Sequence, residues 1–187
     1  MKFLVFLGIS LISLRSMAGL FAELNAFYNT DAFTTASSST YSKTYYALDL
    51  YANLENKYEF YGGFHVAQVN FNEQPTAGTN VALTSLNMGP MLMWVMDRKR
   101  TFSLNLGYDI VANGTYTVTG ASDATLSGSA TWASLGVMPE ISDNFYVGFR
   151  LTYYNLSYTK STVGAVASDV SYTRALIFPT FGLAWRH

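Results

Sequence analysis

A stretch in the middle of the chain, Thr101 to Ala112 (TFSLNLGYDIVA), alternates strictly between apolar and polar residues. Because successive side chains of a strand point to opposite faces, this pattern predicts a strand with one apolar and one polar face. The apolar face would carry Phe102, Leu104, Leu106, Tyr108 and Ile110. Such a face either packs against a soluble core or meets lipid, in which case the polar face lines the interior of a barrel.

The same alternation recurs along the chain and predicts eight strands. Their expected ranges are 20–29, 43–54, 58–70, 81–96, 101–112, 126–141, 145–156 and 172–186. The sixth range has the least regular pattern, and Ala133, Leu135, Val137, Pro139 and Ile141 are expected on its apolar face. Proline cannot donate to a ladder, so we expect local bulges at Pro90, Pro139 and Pro179.

Short turns and longer loops alternate between these strands. Tight turns are expected at residues 55–57, 97–100 and 142–144, and long loops near residues 30–40, 72–80, 113–125 and 157–169. The loops are predicted from their content of Ser, Thr, Gly, Asn and Pro. An even-stranded antiparallel barrel with short turns at one rim and long loops at the other has this organisation.

Composition favours a barrel that faces lipid. The chain has 14 Tyr and 13 Phe but only 12% charged residues, and the predicted apolar faces carry no charge. A soluble, lipocalin-like barrel would invert this arrangement, with apolar residues inside and charged residues outside. Aromatic residues gather at both ends of the apolar faces, as at the two interfaces of a bilayer. These predicted membrane-interface aromatics are Tyr28, Tyr46, Tyr58, Trp94, Phe102, Tyr108, Phe145, Tyr153 and Trp185.

The first residues predict the compartment. Met1-Lys2 is a basic start, residues 3–14 form an apolar run, and Ser16-Met17-Ala18 supplies small residues for a signal peptidase. The run is too short for a transmembrane helix, which needs about 20 apolar residues. We therefore expect a signal peptide at residues 1–18 and an outer-membrane β-barrel domain at residues 19–187. The expected location is the outer membrane of a Gram-negative-type envelope.

Charge and cysteine content exclude several classes of function. The chain has 11 basic and 12 acidic residues, and it has no basic stripe that would bind nucleic acid. The absence of cysteine excludes a disulfide scaffold and a thiolate metal site. One interior histidine provides too few ligands for a metal. We therefore expect no nucleic-acid partner, no metal and no cofactor.

The last predicted strand ends in Thr180–Trp185 (TFGLAW), which is similar to the C-terminal signal read by the barrel-assembly machinery; Arg186 and His187 follow the terminal aromatic. With the alternating strands and the signal peptide, the chain resembles small outer-membrane barrels of the OmpA/OmpX/OmpW-like kind. The resemblance implies an all-β, eight-stranded antiparallel up-and-down transmembrane barrel with short periplasmic turns and longer extracellular loops. It implies outer-membrane lipids and the barrel-assembly machinery as partners, and we expect a monomer.

The polar faces place five charged or titratable residues at similar heights inside the barrel: Glu23, Asp49, His65, Asp109 and Arg150. Such a cluster could form a catalytic site. However, the side chains of an eight-stranded barrel just fill its lumen, and buried polar groups must pair. The sequence has no His-x-Ser motif that would place a nucleophile beside His65. We therefore predict a structural polar network without catalytic residues, in which Arg150 anchors two carboxylates and Trp132 packs in the lumen.

The sequence thus predicts a non-enzymatic outer-membrane protein with a structural or surface-exposed role in adhesion or interaction. Two alternatives stay open: a narrow pore for small solutes, and a lipid-modifying outer-membrane enzyme. Conductance measurements distinguish a pore from a barrel with a filled lumen, and mass spectrometry of lipid A distinguishes a lipid-modifying enzyme from a non-enzymatic protein. The loops carry little charge and do not identify a surface partner.

Overall fold

The computed structural model describes residues 19–33, 39–55, 59–75 and 79–186. The predicted signal peptide at residues 1–18 lies outside the described residues, as does the predicted interface aromatic Tyr58. Within the described ranges, no helix is long and apolar enough to cross a membrane. The signal peptide and the domain boundary after Ala18 stay predictions.

The described residues form nine strands, and all of their pairings are antiparallel. The strands are β1 (Leu20–Phe33), β2 (Ser39–Glu55), β3 (Phe60–Pro75), β4 (Val81–Val95), β5 (Phe102–Val118), β6 (Ala124–Val137), β7 (Glu140–Ser142), β8 (Phe145–Val163) and β9 (Val166–Arg186). Strands β1 to β6 pair in chain order, β6 pairs with β8, β8 with β9, and β9 with β1. Eight strands therefore close a ring, as predicted, and the three-residue β7 pairs with the start of β8.

Burial alternates along the strands as the sequence pattern predicts. In β4, Leu92 and Trp94 are 54% and 44% exposed, whereas Met91 and Met93 are 3% and 1% exposed. The predicted apolar faces point outward, and the polar faces line the interior. An apolar exterior around a polar interior is the arrangement of a barrel that faces lipid, and it is the reverse of a lipocalin-like barrel.

The described interface aromatics lie on this exterior. Seven of the predicted residues are exposed and Phe145 is half-buried; the exposed ones are Tyr28, Tyr46, Trp94, Phe102, Tyr108, Tyr153 and Trp185. On β8, Phe145 and Tyr153 are eight positions apart, a distance of about 26 Å along a strand that rises about 3.3 Å per residue. Aromatics at this spacing, with an aliphatic band between them, fit the two interfaces of a bilayer.

Hairpins at one end of the barrel replace two of the four predicted loops; the other two, at residues 30–40 and 72–80, lie partly outside the described residues. β5 continues to Val118 and β6 begins at Ala124, so the predicted loop 113–125 is largely strand. β8 continues to Val163 and β9 begins at Val166, so the predicted loop 157–169 is strand as well. Thr, Tyr and Val favour extended backbone, and in these segments that preference outweighs the Ser and Gly content. We call this end the hairpin end, and the end with the turns at residues 96–101 and 143–144 the turn end.

The three prolines affect the strands in different ways. The β4–β5 register shifts between Met88 and Met91, so the bulge predicted at Pro90 is confirmed. Pro139 separates β6 from β7, which corrects the prediction of one continuous sixth strand; the predicted outward face of that strand is correct. Pro179 pairs with Leu151 in a regular part of the β8–β9 ladder, so the bulge predicted there is wrong.

The first and last strands close the ring over a short distance. Their pairing runs from Phe21 with Arg186 to Ala26 with Phe181 and ends there. Beyond this point β1 continues to Phe33 on β2, and β9 extends back to Val166 on β8. Pro179 lies two residues from Phe181, outside the paired part of β1 and β9, so its missing amide hydrogen removes no hydrogen bond between these two strands.

Candidate functional site in the barrel interior

All five predicted interior residues are buried in the lumen. Their exposed fractions are 3% or less for Glu23, Asp49, His65, Asp109 and Arg150. Glu23, Asp49 and His65 are direct cross-strand partners on β1, β2 and β3, which explains their similar height. We call these five residues and the side chains that hydrogen-bond to them the lumen network.

Arg150 and Glu23 form a two-point ion pair at the centre of this network. Arg150 Nη2 donates to Glu23 Oε2 at 2.6 Å, and Arg150 Nε donates to Glu23 Oε1. The remaining terminal nitrogen, Nη1, donates to Ser103 Oγ at 2.9 Å. A carboxylate that accepts from two guanidinium nitrogens fixes the position of the arginine as well as compensating its charge.

Asp49 and His65 form the second part of the network. His65 Nδ1 lies 2.5 Å from Asp49 Oδ1. The other carboxylate oxygen of Asp49 accepts from Asn25 Nδ2 at 3.0 Å and lies 3.5 Å from the Tyr51 hydroxyl, which itself accepts from Asn105 Nδ2 at 2.7 Å. Asp49 is therefore held from three sides, and its contact with His65 is one among several.

Asp109 lies on the other side of the imidazole. Its Oδ2 is 4.0 Å from His65 Nε2 and accepts from the Tyr154 hydroxyl, and its Oδ1 accepts from Trp132 Nε1 at 3.3 Å. The Trp132 ring also packs on the His65 ring, with centroids 4.4 Å apart. The prediction that Trp132 faces the lumen as a packing residue is correct, and the residue also donates a hydrogen bond.

One detail of the predicted network is wrong. Arg150 was expected to hold two carboxylates, but both of its bonds to carboxylate oxygens go to Glu23. Asp49 and Asp109 instead flank His65. The two-point contact with Glu23 and the bond to Ser103 fix the orientation of the guanidinium, and in this orientation its carboxylate partner is Glu23 alone among the described residues.

Several members of the network were not predicted from the sequence. The sequence analysis gives no lumen position to Tyr51 or Tyr154 and no hydrogen-bond partner to Ser103. Their positions carry the signal, because Tyr51 follows Asp49 by two residues and Tyr154 follows Arg150 by four on the same strand faces. An aromatic residue that shares the face of buried charges is a candidate hydroxyl donor rather than an interface anchor.

Two glycines on the lumen faces make room for the largest members. A Cβ added at Gly136 would overlap the guanidinium of Arg150, and one added at Gly107 would overlap the indole of Trp132. In this lumen, the two largest members of the network each lie against a glycine, which leaves them the space that a side chain would occupy. A larger residue at either glycine would displace the network.

A second polar cluster closes the turn end. Glu59 Oε1 accepts from Arg100 Nη2 at 3.0 Å, and Glu59 Oε2 accepts from Arg186 Nη2 at 2.9 Å and from the Tyr61 hydroxyl at 2.8 Å. The Arg186 guanidinium also lies 4.8 Å from the Tyr61 ring centroid. Arg186, which follows the terminal aromatic of the last strand, lies on the inward face that the alternation of β9 gives it and is buried at the turn end of the lumen.

The imidazole and the carboxylate at the centre of the lumen network are shielded from solvent. His65 and Asp109 are both 0% exposed. The Tyr154 hydroxyl donates its hydrogen bond to the Asp109 carboxylate rather than to the His65 ring. Among the described residues, no group of three or more His, Asp or Glu side chains is placed to hold a metal ion.

Comparison with known proteins supports the fold. No protein-family model and no curated protein matches the chain. Among solved structures, Neisserial surface protein A (NspA) is similar over 90% of this chain and 97% of its own, at 14% identity and a TM-score of 0.52. The translocator domain of the autotransporter NalP from Neisseria meningitidis covers 96% of this chain and 67% of its own, at 14% identity and a TM-score of 0.42. The β-domain of the Bordetella autotransporter BrkA covers 90% and 98%, at 11% identity and a TM-score of 0.42.

The closed ring, the lipid-facing exterior and the match to NspA together confirm the predicted small outer-membrane β-barrel. Closed barrels of this kind pair the backbone groups of neighbouring strands within the sheet, which is what allows strands to cross a bilayer. The chain therefore has the fold of a small outer-membrane β-barrel, with the lipid-facing exterior that its sequence predicts.

Proposed function

We propose that the chain is a non-enzymatic outer-membrane barrel with a lumen closed to solutes, and that its role is structural or surface-exposed. The observation that supports this proposal is the buried ion pair of Arg150 and Glu23, which spans the lumen with Ser103 as a third partner. An eight-stranded barrel has just enough interior for such side chains, so a filled lumen leaves no path for ions.

The hairpin end is the part of the chain that would meet other molecules. Residues 119–123 and 164–165 are exposed at the tips of two hairpins, and they are rich in small and hydroxyl side chains. We propose outer-membrane lipids as the surroundings of the monomeric barrel and the barrel-assembly machinery as its partner during insertion.

Conductance in planar bilayers tests the closed lumen. We expect the purified wild-type protein to give no steady ion conductance, because the lumen network fills the interior. The double variant Glu23→Ala with Arg150→Ala removes both charged partners together and should raise conductance. Heat-modifiable migration on gels shows that each sample contains folded barrel. A steady conductance from the folded wild-type protein would instead support the narrow pore.

The absence of enzymatic activity is tested separately. Lipid A from cells with and without the gene should have the same mass spectrum, and cells that carry His65→Ala should keep any phenotype that the wild-type gene supports. A mass difference in lipid A that His65→Ala abolishes, with the variant folded, would make the lumen network a catalytic site and overturn the proposal.

A further inference from the structure

The wall of the barrel is incomplete between β1 and β9 on the side of the hairpin end. Pairing of these strands ends at Ala26 and Phe181, although both strands continue past that point. Phe27 and Phe178 stack across the end of the ladder, with ring centroids 5.1 Å apart. Beyond this aromatic pair lies a cavity of about 330 Å³, which we call the seam cavity.

The seam cavity connects the lipid-facing exterior to the lumen. Ile177 on its outer edge is 72% exposed, whereas Tyr45 and Val69 at its back are buried side chains of β2 and β3. Phe71 and Lys43 border both this cavity and a second one of about 180 Å³ that is also lined by Arg174. The two cavities therefore meet at Phe71 and Lys43.

The chemistry of the lining changes from apolar to charged along this passage. The outer part is formed by aromatic and aliphatic side chains, among them Phe178, Leu176 and Val69. The inner part carries two cations, Lys43 and Arg174, and one carboxylate, Glu73, which accepts a hydrogen bond from the Tyr41 hydroxyl at 2.9 Å. The guanidinium of Arg174 lies 4.0 Å from the Phe71 ring centroid. Neither cation forms an ion pair within 4.0 Å with a described side chain.

Unpaired strand edges are costly in hydrocarbon, because water is absent and backbone groups have no other partner. A volume of about 330 Å³ is at the lower end of small-ligand pockets. We propose that the seam cavity holds one acyl chain of a phosphate-bearing membrane lipid, which enters from the bilayer between β1 and β9. Lys43 and Arg174 bind the phosphate, since guanidinium and ammonium groups are the usual partners of phosphate oxygens.

The opening of the seam can be measured directly, because the chain has no cysteine of its own. Leu24 and Leu183 are register partners within the paired part of the seam. If the same register continued, Thr30 would face Ile177. In vesicles, Leu24→Cys with Leu183→Cys should form a disulfide rapidly under mild oxidant, and Thr30→Cys with Ile177→Cys at least tenfold more slowly. Equal rates would show a closed seam and overturn the proposal.

Lipid occupancy is tested with photoreactive lipids in vesicles that contain the full-length protein. The probe is phosphatidylglycerol with a diazirine on one acyl chain, and labelled peptides are mapped by mass spectrometry. We expect labelling of residues 43–45 and 176–178 to exceed labelling of the lipid-facing band. Val69→Trp fills the cavity and should reduce this labelling at least fivefold, whereas Val66→Trp on the outer face of the same strand should not.

The role of the phosphate is tested with the variant Lys43→Gln with Arg174→Gln, which leaves the apolar lining intact. Native mass spectrometry should show phosphatidylglycerol retained by the wild-type protein and at least fivefold less retained by this variant. A diacylglycerol with the same acyl chains should be retained weakly by both proteins. Equal labelling of all lipid-facing strands, or retention that does not depend on the two cations, would overturn the proposal.

Discussion

In the turn-end half of the barrel, β1 and β9 pair residue by residue from Phe21 with Arg186 to Ala26 with Phe181, whereas in the hairpin-end half the same strands border a cavity of about 330 Å³. The first half is filled by buried, hydrogen-bonded charges, and the second contains half-buried cations at the edges of cavities. The same strands thus build a sealed half and an accessible half. This contrast underlies both proposals: a structural role for the interior charges of the sealed half, and lipid binding where the wall is incomplete.

The largest effect on stability is expected when the ion pair of the sealed half is broken. Arg150→Ala leaves Glu23 as a buried charge without its partner, and should lower the free energy of unfolding by about 3–5 kcal/mol. His65→Ala should cost less, because Asp49 keeps its contacts with Asn25 and Tyr51. Urea unfolding in lipid vesicles measures both. An equal or larger loss for His65→Ala would show that the histidine, rather than the arginine, organises the lumen.

The lipid-facing surface is tested at Leu106, which lies on the exterior of β5 and is 49% exposed. Leu106→Arg places a guanidinium in the hydrocarbon and should cost about 2–4 kcal/mol. Leu106→Met is the matched control and should unfold like the wild-type protein. Thr152→Ala, which faces the lumen and is 3% exposed, should also cost little. Equal losses for the arginine and methionine variants would contradict lipid exposure at this position.

Glycine substitutions compare how tightly the two halves are packed. A Cβ at Gly136 meets the guanidinium of Arg150, which is held by three hydrogen bonds, so Gly136→Ala should cost about 1–3 kcal/mol. A Cβ at Gly114, in the hairpin-end half, would lie 2.8 Å from the hydroxyl of the buried Tyr158, a less severe overlap than the one with Arg150 Nη1 at Gly136. Gly114→Ala should therefore cost less than Gly136→Ala. Urea unfolding in lipid vesicles measures both losses of stability. A larger loss for Gly114→Ala than for Gly136→Ala would show that the sealed half is not the more tightly packed one.

The smallest effect is expected at Lys43 in the accessible half. This side chain is half-buried at the cavity edge and forms no ion pair with a described residue. Lys43→Gln should therefore change the free energy of unfolding by less than about 0.5 kcal/mol. The measurement uses vesicles without anionic lipid, so that binding of such a lipid at Lys43 does not contribute to the free energy of unfolding. A loss above about 2 kcal/mol would make Lys43 part of the structural network.

The sequence predicts the faces of this barrel well because alternation is a local property. Leu106 and Asp109 were assigned to opposite faces by counting residues, and Glu23, Asp49 and His65 were placed at one height in the same way. Both assignments depend on the two-residue repeat of a strand and on the positions of the turns. Neither requires knowledge of which strands face each other across the lumen.

The pairing of charges across the lumen could not be predicted in the same way. Whether Arg150 meets Glu23, Asp49 or Asp109 depends on the stagger of the closed ring, and no local pattern encodes that stagger. The incomplete seam was missed for a related reason. Pro179 was interpreted as a bulge, because the sequence does not show that the closing ladder ends before this residue.

The lumen pairs also constrain the order of assembly. Glu23 and Arg150 are 127 positions apart in the chain, and so are Glu59 and Arg186. Neither pair can form until the strands that carry its partners have come together in the ring. A sheet that entered the hydrocarbon while still open would expose Arg150 to lipid, at a cost of about 2–4 kcal/mol near the midplane. Insertion and ring closure are therefore coupled, and the chain should fold in one late, concerted and slow step, as contacts between distant residues require.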